Sequence, residues 1–211
     1  MNLSRKTLTN NLRKIENLID EIYKNNEIYN VSIENYRDEN TEFRDIRIQK
    51  AIVSNTEIIR GRLENNSFID TKFNDCNFSN TSFENSSFIR CEFSNCKLTG
   101  CNFAENRMYN VNFIETNISY ANFSMASMEN LLFDNSNLRN SSFQENKLKN
   151  ILFKKADLTQ VQFFKTSLKG IDLSDSVIEG IAVSIEDVKG ALINQYQAVD
   201  LLYLLGVKIK E

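Results

Sequence analysis

Apolar residues recur at every fifth position over most of this chain. From Phe43 to Val183, all 29 positions of the series are apolar. A helix would repeat at about 3.6 residues and a strand at about 2, so neither element explains a period of five. The pattern predicts a chain that turns a corner every five residues and coils on itself, which is a repeat solenoid.

The other positions of the five-residue unit follow the same period. A small residue precedes most apolar centres by two positions, and polar residues, often Asn, fill the rest, as in CNFSN (76–80), TSFEN (81–85) and ADLTQ (156–160). These units resemble the pentapeptide repeat family, A-(D/N)-L-x-x, over about 145 of the 211 residues. The resemblance implies an all-β fold, a right-handed quadrilateral β-helix with four pentapeptides in each coil and capping helices at both ends.

Four pentapeptides per coil place residues 20 positions apart on top of each other. We call the four faces A to D, centred in one coil on Phe103, Met108, Phe113 and Ile118. Sorting the centres by face puts most Phe residues on the opposite faces A and C, which predicts two columns of stacked rings inside the helix. The predicted ladder consists of Phe83, Phe93, Phe103, Phe113, Phe123, Phe133, Phe143 and Phe153.

The N-terminal segment, residues 1–40, is predicted to be a cap. Residues 7–24 place apolar side chains on one helical stripe, with Ser4 or Thr7 as N-cap. Asp38 would occupy a buried centre, so we expect an irregular first coil before the regular repeats at 41–185. A cap is needed because the open end of a solenoid exposes unpaired strand edges.

The C-terminal segment, residues 186–211, is predicted to contain a helix over 195–205, capped by Asn194 and stopped by Gly206, and a short final strand at 207–210. The segment is similar to the C-terminal end of the Qnr-type and mycobacterial quinolone-resistance pentapeptide proteins, which implies a homodimer joined at its C-terminal ends. An excess of apolar residues independently favours this interface. The predicted dimerisation residues are Ala198, Leu201, Leu202, Leu204 and Leu205.

The composition of the chain argues against membrane, secreted, metal-binding and cofactor-binding proteins. No stretch approaches the ~18 apolar residues of a membrane span, and the polar start of the chain does not resemble a signal peptide, so we expect a cytoplasmic protein with no membrane contact. The four Cys all take the small inward position at spacings of 15, 5 and 5, and the chain has no His. Buried structural thiols are therefore expected, with no metal and no cofactor.

Catalysis is not expected. The chain contains no His, no nucleophile motif and no Gly-rich phosphate loop, and an unbroken repeat leaves no room for the long loops that build clefts in β-helical enzymes. Asn66, Asn106 and Asn146 share one inward column. Two interpretations are open: the three residues form a ligand site, or their side-chain amides satisfy backbone groups at a corner.

The resemblance implies binding to DNA gyrase and topoisomerase IV by DNA mimicry, with an effect on quinolone susceptibility. Faces A and C hold six acidic against three basic residues each, but residues 41–185 carry 17 acids and 16 bases in all. A duplex of about 35 Å would carry about 20 negative charges, so mimicry along the whole rod is not supported. The acids that could contact a partner are Glu64, Glu84, Glu105 and Glu145 on face A, and Glu92, Glu115 and Asp134 on face C.

Two alternatives stay open. One is a protein-interaction module that binds another partner and has no activity on topoisomerases. The other uses the basic face B, which carries seven bases against two acids, to contact nucleic acid or an acidic protein. Direct nucleic-acid binding is not expected, because these bases are widely spaced and Tyr109 is the single aromatic residue among them.

Overall fold

The computed structural model describes residues 12–208, and its body is a parallel β-helix. The strands are β1 (Arg13–Ile15), β2 (Glu27–Glu34), β3 (Arg37–Glu39), β4 (Arg47–Ser54), β5 (Glu57–Ile59), β6 (Ser67–Asn74), β7 (Ser87–Ile89), β8 (Glu92–Ser94), β9 (Arg107–Ile114), β10 (Ser127–Asp134) and β11 (Lys147–Lys154). The helices are α1 (Leu18–Lys24), α2 (Ile185–Val188) and α3 (Ala198–Leu201), and a 3₁₀ turn spans Leu202–Leu205.

Successive coils stack with each pentapeptide directly above its counterpart in the preceding coil, as predicted. Phe133 of β10 pairs with Phe113 of β9 and with Phe153 of β11. Faces B and C form a nine-stranded parallel sheet, whereas faces A and D are joined mainly through single bridges such as Asn102↔Asn122 and Asn117↔Asn137. The predicted quadrilateral β-helix is therefore confirmed as a fold.

A left-handed residue makes each corner. At every fifth position from Asn30 to Gly170, φ lies between +48° and +76°. Almost all of these corners are occupied by residues other than glycine, and more than half are Asn or Asp, which tolerate this conformation best. A second set of Asn and Asp side chains tightens the turns, since Asn77 and Asn102 accept hydrogen bonds from the backbone N–H groups of Ser79 and Ala104 at 3.1 Å.

Aromatic rings fill the interior in two columns. Rings in adjacent coils of faces A and C stack with centroids 4.5–5.2 Å apart, from Phe73 to Phe153 and from Phe83 to Phe143. Rings from opposite faces meet edge to face, as between Phe113 and Phe123 at 6.3 Å and 82°. All eight rings of the predicted ladder are at most 4 % exposed.

The small inward residues also join adjacent coils by hydrogen bonds. Their hydroxyl or thiol groups donate to a carbonyl of the preceding coil, as Thr81 does to Ile58 at 2.6 Å and Ser136 to Phe113 at 3.2 Å. The Oδ1 atoms of Asn66, Asn106 and Asn146 accept from backbone N–H groups one coil below at 2.7–2.9 Å. The amide oxygens therefore satisfy backbone groups, in line with the structural interpretation of this column, whereas the Nδ2 groups of Asn106 and Asn146 are buried without a hydrogen-bond partner.

The predicted N-terminal helix is wrong over residues 13–15. Those residues form β1, which pairs in parallel with β2 so that Ile15 stacks on Ile33. Helix α1 begins after Asn17, whose side chain accepts from the N–H groups of Ile19 and Asp20. These residues form a strand and not a helix because the strand extends the stack of coils and buries Ile15 against it. Tertiary packing of this kind outweighs helix propensity. Residues 7–11 and both predicted caps, Ser4 and Thr7, lie outside the described residues.

The expected irregular first coil is also wrong. Strands β2 and β3 pair with β4 and β5 in the register of the later coils, so the solenoid begins near residue 27 and not at 41. Asp38 stacks on Ile58 and stays only half-buried. Its carboxylate accepts hydrogen bonds from the Tyr36 hydroxyl at 2.9 Å and the Glu39 N–H at 2.8 Å. These partners satisfy the polar group that was expected to disrupt the coil.

The helix in the C-terminal segment is shorter than predicted. A turn at 195–197 precedes α3, and the 3₁₀ turn ends at Gly206 with φ +67°. Asn194 does cap this segment, accepting from Tyr196 at 2.9 Å and Gln197 at 3.1 Å. The buried Gln197 amide donates to the carbonyls of Leu173 and Ser176, which fixes the segment to the last coils and limits helix formation. Residues 207–208 form no strand, and 209–211 lie outside the described residues.

We expect Phe113→Ala to lower the free energy of unfolding by about 3–5 kcal/mol, because it leaves a cavity between two stacked rings. Phe164→Ala is the matched control, since this ring is 45 % exposed on the outside of face A, and it should cost less than about 1 kcal/mol. Urea unfolding followed by circular dichroism measures both. Equal costs for the two variants would contradict the assignment of the core.

Candidate partner-binding surfaces

The seven acids singled out in the sequence all lie on the outside of the helix, on faces A and C. Glu105, Glu115 and Glu145 are exposed, because each occupies a left-handed corner where the side chain points away from the core. The other four flank a buried centre and are half-buried. They do not converge on one site, since each face spreads its acids over several coils.

Four of these seven carboxylates have a cationic partner one coil away. Glu145 lies 2.8 Å from Lys165, Asp134 lies 2.9 Å from Lys154, and Glu92 lies 3.5 Å from Lys72. Glu64 lies 3.3 Å from Arg44 and, within its own pentapeptide, 3.3 Å from Arg62. Of the remaining three, Glu84 accepts a hydrogen bond from the Asn102 amide at 2.8 Å.

The same arrangement accounts for most ion pairs among the described residues. Of the 13 ion pairs, ten join residues 20 positions apart: 14–34, 27–47, 37–57, 42–62, 44–64, 70–90, 72–92, 129–149, 134–154 and 145–165. Stacked coils bring such side chains to about one strand spacing, roughly 4.8 Å. The sequence contains these opposite charges at positions i and i+20. Counting charges over a whole face does not show the pairing, because the paired residues lie in the same column of that face.

This pairing changes the electrostatics of faces A and C. An exposed ion pair contributes only about 0–1 kcal/mol to stability, but it neutralises a carboxylate that would otherwise contribute to the field around the rod. Only Glu84, Glu105 and Glu115 among the seven have no cation within ion-pair distance in the described part of the chain. The acidic faces are therefore weaker anionic surfaces than their composition indicates.

A shallow depression of about 320 Å³ lies beside one of these acids, on face B and its corner with face A. Glu105, Arg107, Tyr109, Met125 and Glu129 contribute to its lining. Met125 is 55 % exposed although it occupies a left-handed corner, where Asn is the commonest residue. The depression is open and of mixed charge, so it is a surface feature and not an enclosed pocket.

The C-terminal end exposes apolar surface. Leu201 and Leu204 of the predicted dimerisation set pack against the core, so the structure assigns them first to the cap. Leu202 is half-buried, Ala198 is exposed, and Leu205 is 68 % exposed. Five further apolar side chains that the sequence did not single out are exposed here: Leu192, Tyr196, Val199, Tyr203 and Val207. Following the period of five to the end of the chain could have found Leu192, since it takes an outward position.

The four cysteines are free and buried. Cys91 and Cys101 donate to the carbonyls of Phe68 and Phe78, as the hydroxyls do at equivalent positions. Burial raises the pKa of the Cys91 thiol to about 12 and raises the pKa of Cys101 as well. Within residues 12–208, no three His, Cys, Asp or Glu side chains are arranged to hold a metal ion. In the same range, no helix is long and apolar enough to cross a bilayer.

Two family models match the central coils. One describes a pentapeptide repeat region and matches residues 86–163, and the other describes pentapeptide repeats in eight copies and matches residues 67–104. A comparison with curated protein sequences finds no match.

Solved structures of pentapeptide repeat proteins are similar to the chain at low identity. HetL from Nostoc sp. strain PCC 7120, which is involved in regulating heterocyst differentiation, is 14 % identical over 77 % of this chain and 91 % of its own, with a TM-score of 0.43. Full-length QnrB1, a plasmid-mediated fluoroquinolone resistance protein, is 18 % identical over 86 % of this chain and 99 % of its own, with a TM-score of 0.39.

We expect the native thiols to be unreactive, because all four are buried and a reagent in solution cannot reach them. Thiolates are the reactive form, and burial with a raised pKa keeps Cys91 and Cys101 protonated at pH 8. Titration with Ellman's reagent at pH 8 should show slow or no reaction of the folded protein and all four thiols after unfolding in guanidinium chloride. Rapid reaction of the folded protein would contradict the burial of these four thiols.

Proposed function

Because this chain is a pentapeptide repeat protein, we propose that it acts as a rigid, non-enzymatic scaffold that binds a protein partner. The observation that supports this function most is the internal pairing of charges between coils. Ten ion pairs between stacked coils hold outward side chains in fixed columns, so the faces are ordered before any partner arrives. A pre-ordered surface loses less side-chain entropy on binding.

The partner class to test first is a type II topoisomerase, DNA gyrase or topoisomerase IV. The similarity of the C-terminal segment to Qnr-type proteins supports this choice, whereas the near balance of acids and bases does not. Any anionic contact would depend on acids without a stacked cation. On face A these are Glu84 and Glu105, one coil apart, so we propose that this pair carries the contact. The alternative is another protein partner and no effect on topoisomerases.

We also propose that the scaffold is a homodimer joined through its C-terminal ends. Leu192, Tyr196, Val199 and Leu205, which we call the end surface, are apolar and exposed in the C-terminal segment, and a monomer would leave them in water. A two-fold contact of this surface with its copy would cover it and produce a rod of twice the length.

The topoisomerase proposal predicts a charge-dependent effect in a gyrase supercoiling assay. The unmodified protein, titrated to tens of micromolar with and without a quinolone, should inhibit supercoiling or protect the enzyme, and added salt should weaken the effect because exposed charges are screened within about 8 Å at physiological ionic strength. The double variant Glu84→Lys and Glu105→Lys should lose the effect while keeping its circular dichroism spectrum.

The matched control is Glu39→Lys with Glu179→Lys. Both acids lie on the outside of face D without an ion pair, and the pair of substitutions makes the same change in net charge. This control should act like the unmodified protein. If the unmodified protein leaves gyrase unaffected throughout the titration, the partner is a different protein and the resemblance to Qnr-type proteins is one of scaffold.

For the dimer, light scattering at micromolar concentration should give twice the chain mass of 24.4 kDa. Leu205→Glu places a charge on the exposed end surface without touching the cap contacts of Leu201 and Leu204, and should give a monomer. Tyr120→Glu, at a corner far from the end, is the control and should remain dimeric. A monomeric unmodified protein would mean that the C-terminal segment is only a lid.

A further inference from the structure

The backbone ladder between coils is interrupted at one level. Elsewhere the N–H of a face centre donates to a carbonyl of the following coil, as Phe103 does to Asn122 and Phe143 to Gln162. Corner N–H groups follow the same rule, as Asn135 does to Lys154 at 2.8 Å. Within the described chain, no backbone hydrogen bond joins residues 147–155 to residues 167–175. We call this interruption, on faces B and C, the seam.

The seam is local. On face A the N–H of Glu145 still bonds to the carbonyl of Phe164 at 3.0 Å, and on face D that of Leu158 bonds to Val177 at 2.8 Å. Above the seam, the N–H of Leu173 bonds to Leu192 at 2.8 Å. The upper and lower parts of the helix are therefore joined at this level by two faces, while β11 ends the nine-stranded sheet.

On face B, strand β11 below the seam is less covered than the strands under it, whereas its face C residues Ile151 and Phe153 remain buried. Leu148 is half-buried, whereas the centres one and two coils below it, Met128 and Met108, are 1 % exposed. Leu152 on the same strand is 50 % exposed. The upward-pointing N–H groups of Leu148, Asn150, Phe153 and Lys155 lack the partner that their counterparts one coil below possess. Such an edge is a template for another strand.

The charge pattern is also interrupted at the seam. Below it, Lys149 stacks against Glu129 at 2.7 Å, as the pairing of adjacent coils predicts. Above it in the same column comes Lys169, so two cations follow each other without an acid between them. Neither Lys169 nor Lys147 has an ion pair among the described residues. One carboxylate inserted between Lys149 and Lys169 would restore the alternation.

We propose that the seam binds an extended acidic segment of a partner protein, which adds to β11 as a parallel strand. Its backbone accepts from the four upward N–H groups, one apolar side chain enters between Leu148 and Leu168, and the next residue places a carboxylate between Lys149 and Lys169. Entry opens the seam by about one strand spacing, roughly 4.8 Å, turning about the intact ladders of faces A and D. The proposal goes beyond the scaffold function, because it names a site and the chemistry of its ligand.

Amide hydrogen exchange by NMR tests whether the seam exists in solution. The N–H groups of Leu148, Asn150, Phe153 and Lys155 should exchange at least about tenfold faster than those of Met128, Asn130, Phe133 and Asn135, their stacked counterparts one coil below. Equal protection of the two sets would overturn the proposal, since the ladder would then be closed at this level.

Peptide binding tests the ligand chemistry. The probe is a blocked peptide of about ten alternating Glu and Val residues, long enough to span two faces. It should bind and slow exchange of the four seam amides at least about tenfold. A peptide of alternating Lys and Val, and an N-methylated form of the acidic peptide that cannot complete a strand ladder, should not.

Charge reversal then separates the seam from general attraction. Lys147→Glu with Lys169→Glu should weaken binding of the acidic peptide at least about tenfold, whereas Arg60→Glu with Lys97→Glu, two unpaired cations outside the seam, should change it less than about twofold. If the acidic peptide fails to bind, or binds without protecting the four amides, the seam lysines only block edge-to-edge association and the proposal is wrong.

Discussion

The left-handed corner at every fifth position is the constraint on which the rest of the molecule depends. It turns the chain through one side of a square, and its regular recurrence from residue 30 to 170 stacks each residue on its counterpart in the next coil. This conformation costs a non-glycine residue about 1–2 kcal/mol, and less for Asn and Asp. The backbone ladder and the buried rings offset that cost, so corners as unfavourable as Tyr120 and Met125 are tolerated.

One stacking rule organises three kinds of interaction. Inside the helix, it stacks Phe on Phe at 4.5–5.2 Å. At the small inward positions, it brings hydroxyl and thiol groups against backbone carbonyls. On the outside, it brings Lys or Arg against Asp or Glu. The third consequence bears on function, because a rod that pairs its own charges presents little net field. The proposed binding functions therefore rely on the places where the rule is not fulfilled.

Those places are few and differ in character. Glu84, Glu105 and Glu115 lack stacked cations, the C-terminal end leaves apolar side chains uncovered, and the seam leaves four N–H groups, Lys147 and Lys169 without partners among the described residues. Each departure suits a different contact: an anionic contact, association of two copies, and addition of a strand. A repeat protein thus keeps most of its surface for stability and order and leaves binding to its irregularities.

The period of five determined the fold, the coil length and the ring columns by itself, because each repeat has the same local geometry and only one way to bury its centre. The pairing of opposite charges was also present in the sequence, at i and i+20. The structure of the two ends depended on tertiary contacts. Residues 13–15 fit a helical stripe but form a strand paired with β2. At the other end, Gln197 bonds to the last coils and fixes a segment whose sequence predicts a longer helix. The sequence did not predict the seam either, because residues 147–155 and 167–175 keep the repeat pattern. Sequence periodicity determines which residues stack, whereas the closing of a hydrogen bond between two coils depends on how all four faces pack together.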